Sequence, residues 1–170
     1  MTIAAHNQLH IMKQQVKIST YSIVINIIAL IVIGAVMLIN LNRGNMWFVW
    51  ILAGLLLVIF SAALFYVPLS ISVNDRELCI NRPLKVKSIA LDNIASVVPC
   101  PPTMGERRIC CSGGWFGYWG WFSERDLGKY FAYYGRASDC FLVTLKDGHR
   151  YMLGCNNPQS LINYIHNHIK

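Results

Sequence analysis

Across residues 21–41 and 46–67 the chain has no polar phase at all. Neither stretch holds a charged residue, and Asn26 is the one internal polar side chain of note. As a helix, the 22 residues from 46 to 67 rise about 33 Å, close to the hydrocarbon thickness of a bilayer. The link Asn42-Arg43-Gly44-Asn45 is too short to cross by itself, so the two helices must form an antiparallel hairpin. The first stretch exceeds the roughly 7–15 apolar residues of a signal peptide and no small-x-small site follows it. It reads as a retained helix.

After Pro68, which stops the second helix, the period shortens to two. Leu69, Ile71 and Val73 alternate with Ser70, Ser72 and Asn74, the pattern of a half-buried strand. Asn74-Asp75-Arg76 turns the chain into a second strand over 78–82, and a third follows over 86–89. Leu91-Asp92-Asn93-Ile94 predicts one helical turn, and 95–100 a fourth strand closed off by Pro99, Pro101 and Pro102. Further on, 140–145 and 149–153 flank Lys146-Asp147-Gly148, a hairpin signal because Asp-Gly suits positive φ. Asn157 as N-cap, Pro158 at the first position and Leu161, Ile162, Tyr164, Ile165 and Ile169 on one face predict a final amphipathic helix. Strands in series and one such helix point to an α+β, mainly-β domain: a bent antiparallel sheet capped by the helix.

Residues 115–134 break the alternation with ten of the chain's twenty aromatic residues. Seven of the twelve glycines lie between Gly105 and Gly135. Gly113-Gly114, Gly117 and Gly120 permit sharp turns, so 115–122 is expected to be an irregular loop. Tyr130 to Tyr134 reads as a strand that rejoins the sheet.

The chain of 170 residues thus divides into a segment 1–20, the hairpin 21–67, and residues 68–170, long enough for one small core. The first 20 residues are either a polar tail or a short amphipathic lead-in helix built on Ile3, Leu9, Ile11, Met12, Val16 and Ile18 with Lys13 and Lys17. Basic residues orient the hairpin. Lys13, Lys17, Arg76, Arg82, Lys85 and Lys87 flank its outer ends, against Arg43 alone in the link. Both termini are therefore expected in the cytoplasm, with the chain a two-pass membrane protein. The net charge is +7, and residues 68–170 hold 12 basic and 8 acidic residues. A basic domain held at a membrane faces anionic headgroups. No compact Lys/Arg block or readout motif points to nucleic acid.

All six cysteines lie beyond residue 68. In a reducing compartment they are expected as free thiols. No CxxC pair suggests a metal, and no cofactor motif is present. The enzyme-like candidates are Cys110 or Cys111 with His149, or acid and base work by Glu124 and Asp126. His6, His10, His166 and His168 show no pairing with a cysteine motif. The expectation is a protein that is not an enzyme.

The order of these segments resembles a known family. Two apolar helices, strands, Ser112-Gly113-Gly114-Trp115-Phe116-Gly117-Tyr118-Trp119-Gly120, then Leu127-Gly128-Lys129-Tyr130-Phe131-Ala132-Tyr133, the Asp147-Gly148 hairpin and a last helix are similar to the bacterial pleckstrin-homology-like (PH-like) membrane proteins. The resemblance implies a PH-like split β-barrel of about seven antiparallel strands capped by the C-terminal α-helix. It implies the bacterial cytoplasmic (inner) membrane as the location, and no catalytic set. Phosphoinositide-binding members of the wider fold cluster basic residues in the first hairpin loop. Here Asn74-Asp75-Arg76 carries one base and one acid, which argues against inositol lipids.

Three roles follow. The first is a membrane-anchored binding or scaffolding module whose loop 113–122 meets the membrane surface or a protein partner through Trp115, Phe116, Tyr118, Trp119, Trp121 and Phe122, flanked by Arg107, Arg108, Arg125 and Lys129. These rings could instead fill the protein's own barrel. The second is the membrane-associated enzyme already weighed. The third is an accessory subunit of a larger complex, or a homo-oligomer, in which Gly34, Ala35, Ala53, Gly54, Ser61, Ala62 and Ala63 allow helices to approach closely and Asn26 bonds across them.

Overall fold

The computed structural model describes residues 11–103 and 107–169; Ile3, Leu9, His6 and His10 lie outside them. Helices α1 (Thr20–Asn42) and α2 (Met46–Tyr66) form the hairpin, and both are long and apolar enough to cross a membrane. Their side chains stand largely bare, with Trp50 and Leu57 each 70 % exposed. The four-residue link turns at Gly44, whose φ of +77° an L side chain rarely adopts.

Residues 12–15 are not a lead-in helix. Met12–Gln15 is a strand, β1, paired antiparallel with β2 (Ser70–Val73). The alternation of Met12, Gln14 and Val16 with Lys13, Gln15 and Lys17 is a period of two, and β2 offers an open edge to satisfy its backbone. With β3 (Glu77–Asn81) and β4 (Val86–Ala90) these strands make a sheet in the order β1-β2-β3-β4. A 3-10 turn at Leu91–Asn93 leads into β5 (Ile94–Pro99), as the helical turn and fourth strand anticipated.

The second sheet holds β5, β6 (Arg107–Gly114), β7 (Gly117–Glu124), β8 (Gly128–Tyr134), β9 (Cys140–Leu145) and β10 (Arg150–Gly154), in the order β5-β9-β10-β8-β7-β6. Ten strands are thus present among the described residues, against about seven expected, and the two sheets do not close into a barrel. The extra strands are β1 and the β6–β7 pair. Nor is every pairing antiparallel: β10 lies between β8 and β9 and runs parallel to β8. The Asp147-Gly148 turn sets β9 and β10 in register from Thr144–Arg150 to Cys140–Gly154, with Gly148 at φ +86°.

One core lies between the sheets. Ile71, Val73, Leu78 and Ile80 from the first face Phe141, Val143 and Leu153 from the second, all fully buried. Helix α3 (Pro158–His168) closes the open side with Leu161, Ile162 and Ile165. It starts as its sequence predicts, with the Asn157 side chain accepting from Ser160 N–H at 3.3 Å and Pro158 in the first turn.

Candidate functional site

The segment expected to be an irregular loop is a hairpin of paired strands, with one register shift between Arg108 and Cys110. Strands β6 and β7 pair from Arg107–Ser123 to Gly114–Gly117, leaving Trp115 and Phe116 as a two-residue turn. The glycines do not break the strands. Gly114, Gly117 and Gly120 have φ of +127°, +108° and +119°, and at Gly117 and Gly120 a neighbouring backbone approaches where a side chain has no room. Phe116 itself sits at φ +54°, a strain of about 1–3 kcal/mol for a bulky residue. Ser112 Oγ and Trp119 Nε1 both donate to the Trp115 carbonyl, at 3.1 and 3.2 Å, and tie the tip down.

The tip meets the apolar helices. Phe116 packs on Phe60 with ring centroids 5.7 Å apart, and Trp119 stacks on Tyr66 at 5.2 Å and 9°. Asn26 Nδ2 donates to the Gly114 carbonyl at 3.1 Å. Asn26 therefore bonds to the hairpin tip and not across the helix pair. Asn26 follows the first residue of α1 by six positions, and Phe60 precedes the last residue of α2 by six. The tip thus reaches about 9 Å along both helices from their domain-side ends. Beside it an apolar groove of about 520 Å³ runs between Val58 and Ala62 of α2 and the rings of Trp115, Trp119, Trp121 and Phe131.

Strand alternation sorts the aromatics between two surfaces. Trp119 faces α2 and the groove, and Trp121, 40 % exposed, continues the same face with Phe131 against it. Tyr118 and Phe122 point the other way. Tyr118 stacks on buried Tyr134 at 4.8 Å, and Phe122 joins Tyr130 in a second buried cluster. Of these rings, Tyr118 and Phe122 fill the protein's own core, while Phe116 and Trp119 lie against α2.

The predicted basic flank stands elsewhere. Arg107 and Arg108 lie at the open end of the hairpin and Arg125 and Lys129 at the β7–β8 connection, all exposed. Seven residues of strand separate Arg107 from Gly114, about 23 Å. Of the four, Arg108 bends back toward the tip, its guanidinium lying where a Cβ of Gly113 would stand.

The enzyme-like constellations do not assemble. Cys110 is level with Trp121, Phe131 and Tyr151 across the sheet, which puts β6 three strands from β10, about 14 Å. His149, on the turn before β10, is at least that far from Cys110 and Cys111. Glu124 is a buried structural acceptor, receiving Tyr130 Oη and Thr103 Oγ1 at 2.9 Å each. Asp126 is exposed on the turn beyond it. His166 and His168 of α3 contact the Val97 and Tyr164 carbonyls. Burial pushes the thiols of Cys79 and Cys100 up, helped by Glu77 and Glu124, and Cys155 up to about 11. That is the reverse of nucleophile activation. Among the described residues no cluster of three His, Cys, Asp or Glu side chains could hold a metal.

The small residues of the helices also separate into two groups. Ala63 is buried, but a Cβ at Gly34 or Gly54 would meet nothing within 4 Å. These glycines do not create a tight crossing of α1 with α2. A cluster that the sequence reading used only for orientation stands out instead. Arg82, Lys85 and Lys87 gather with Tyr133 beside Phe65 and Tyr66, at the domain-side end of α2, around a cavity of about 600 Å³. Their place within twenty residues of a long apolar run was the available signal.

A family model described as a bacterial PH domain matches residues 69–169. No curated protein and no solved structure matches the chain.

Proposed function

The chain belongs to the bacterial PH domain family, and on that premise we propose that it is a membrane-anchored binding module whose domain is clamped to its own membrane hairpin. In this reading α1 and α2 cross the bacterial cytoplasmic membrane with both termini in the cytoplasm, the orientation that the basic residues outside the hairpin favour. The domain lies against the inner leaflet. Its work is to bind at that surface, not to catalyse.

One observation carries the reading: the β6–β7 tip lies along the apolar helices through Asn26–Gly114, Phe60–Phe116 and Tyr66–Trp119. About 9 Å from the helix ends is the depth of the headgroup and upper acyl layer, where Trp and Tyr rings are favoured. A tether of this kind holds the bare Trp121 and Ile109 side chains against the interface, available to lipid or to a protein partner. Holding one face at the membrane lowers the entropic cost of meeting a partner confined to the same surface.

The test uses the full chain with Trp47, Trp50, Trp119 and Trp121 changed to Phe, so that Trp115 alone reports. Reconstituted into vesicles with phosphatidylcholine brominated high on the acyl chain, Trp115 should emit in the blue and be quenched by bromine. Quenching by aqueous iodide with no effect of bromine would overturn the reading.

A second reading, an accessory subunit with the hairpin as interface, is favoured by the open space at Gly34 and Gly54, which another helix can approach closely. Crosslinking in native membranes from these positions tests it. Capture of a defined partner chain supports the reading, and recovery of uncrosslinked protein alone removes it.

A further inference from the structure

We propose that the cavity formed by Arg82, Lys85 and Lys87 at the domain-side end of α2 binds the phosphate of an anionic phosphate ester, and that its position favours an acidic glycerophospholipid as the source. The chain path sets its level. Val67 and Pro68 are buried directly after α2, and Leu69 N–H donates to the Asn81 carbonyl at 2.9 Å. Asn81 is therefore level with the helix end, and the β3–β4 turn Arg82-Pro83-Leu84-Lys85 sits beside it. Arg82 Nε closes this turn by donating to the Lys85 carbonyl at 3.2 Å.

Two of the three cations are held in place by aromatic side chains. The Arg82 guanidinium lies 5.5 Å from the Tyr133 ring centre and donates to its hydroxyl at 3.4 Å. Lys87 Nζ lies 4.3 Å over the Tyr151 ring and donates to that hydroxyl at 2.8 Å. Among the described residues neither they nor Lys85 enters an ion pair, and no carboxylate lines the cavity. The remaining N–H donors of three cations thus converge without a counter-charge. A phosphate supplies both the charge and the acceptor oxygens.

The surroundings favour a lipid over a soluble ester. Phe65, Leu69, Leu84 and Val86 at the same level are each about half exposed or more. An acyl glycerol can cover these side chains, while inorganic phosphate would leave them bare. A volume of about 600 Å³ is in the range of small-molecule sites and exceeds what a bare phosphate fills. The site is also distinct from the first hairpin loop. That loop, Asn74-Asp75-Arg76, lies at the opposite end of β2 and β3, where Tyr164 Oη donates to Asp75 at 2.6 Å. The inference rests on the helices' placement in the membrane, which Trp115 quenching measures independently.

The experiment follows acetylation of Lys85 and Lys87 in the full chain in neutral detergent, by mass spectrometry, with Lys129 and Lys146 as internal references. Dihexanoylphosphatidylglycerol should slow both lysines selectively. The lipid concentration for half protection should rise roughly 10- to 30-fold in R82Q/K85Q read at Lys87, about five-fold per lost cation. K85Q alone should give about five-fold, which keeps the test valid if loss of Arg82 unsettles the turn; melting curves report that separately. Equal protection by glycerol 3-phosphate would keep the phosphate site and make its source soluble. Equal protection by dihexanoylphosphatidylcholine, or unchanged protection in both variants, would overturn the proposal.

Discussion

Gly120 is the position where the hairpin leaves least freedom. Its φ is +119°, and a Cβ built there lies 2.5 Å from both the Cys110 carbonyl oxygen and Cys111 Cα. These are backbone atoms of the paired strand and cannot swing aside. Gly120→Ala therefore adds an unfavourable backbone conformation, about 1–3 kcal/mol, to overpacking of about 1–3 kcal/mol. Mid-range values give about 4 kcal/mol, roughly a 10 °C fall in Tm for a chain of this size. Gly113→Ala is the matched control. Its Cβ meets only the guanidinium of Arg108, the end of an exposed, flexible side chain, so the cost stays within about 0.5 kcal/mol. Both variants are melted in the same detergent, followed by near-ultraviolet circular dichroism, which reports the packed tryptophans. Gly120→Ala should also lose the Trp119–Tyr66 stack and shift tryptophan emission to the red. Equal shifts for the two variants, or a Gly120→Ala protein melting within about 2 °C of wild type, would refute the reasoning.

Glu124→Gln replaces a buried acceptor of two short hydroxyl bonds with a group that also donates. It should cost about 1.5–3 kcal/mol, read as a lower midpoint in denaturant. Burial raises the Cys155 thiol from 9.0 to about 11, so folding favours its protonated form. The associated stability is complete below about pH 9 and is lost as pH climbs through 11, and Cys155 should resist maleimide at pH 8 until the chain is unfolded. A Cβ at Gly135 would strike the Lys17 backbone carbonyl, beside the 2.9 Å bond from Ser19 N–H to the Gly135 carbonyl. Gly135→Ala should release this linker and speed tryptic cleavage after Lys17, with no change after Lys146 as the internal check. Tripsin-resistant Lys17 in that variant would show that the junction accommodates a methyl group.

The apolar hairpin was legible because its cause is local. An uncharged run of helical length needs no knowledge of the rest of the chain. The same holds for the Asp147-Gly148 turn and for the Asn157-Pro158 helix start, where residue type alone selects φ or supplies the cap. Over residues 1–20 the apolar positions and two lysines are compatible with a tail, a helix or a strand. An open edge on β2, remote in sequence, selected the strand. The aromatic segment was misread for a related reason. Glycine-rich sequence normally signals irregular backbone, but here positive φ at Gly117 and Gly120 fits paired strands that approach closely.

The candidate site divides in the same way. Sequence alone determined that the chain carries a membrane-length hairpin and a concentration of rings in 115–134, since each depends on composition and spacing, and the order of its segments carried the resemblance to a PH-like domain. Only the tertiary structure decided where those rings point. Pairing of β7 with β8 sent Tyr118 and Phe122 into the core and Trp119 onto Tyr66, and it set Arg125 and Lys129 at the far end of the pair from the tip. It also gathered Arg82, Lys85 and Lys87 beside the end of α2. Side-chain direction in a strand reverses with every residue, so its meaning depends on register, and register is set by contacts between residues far apart in the chain.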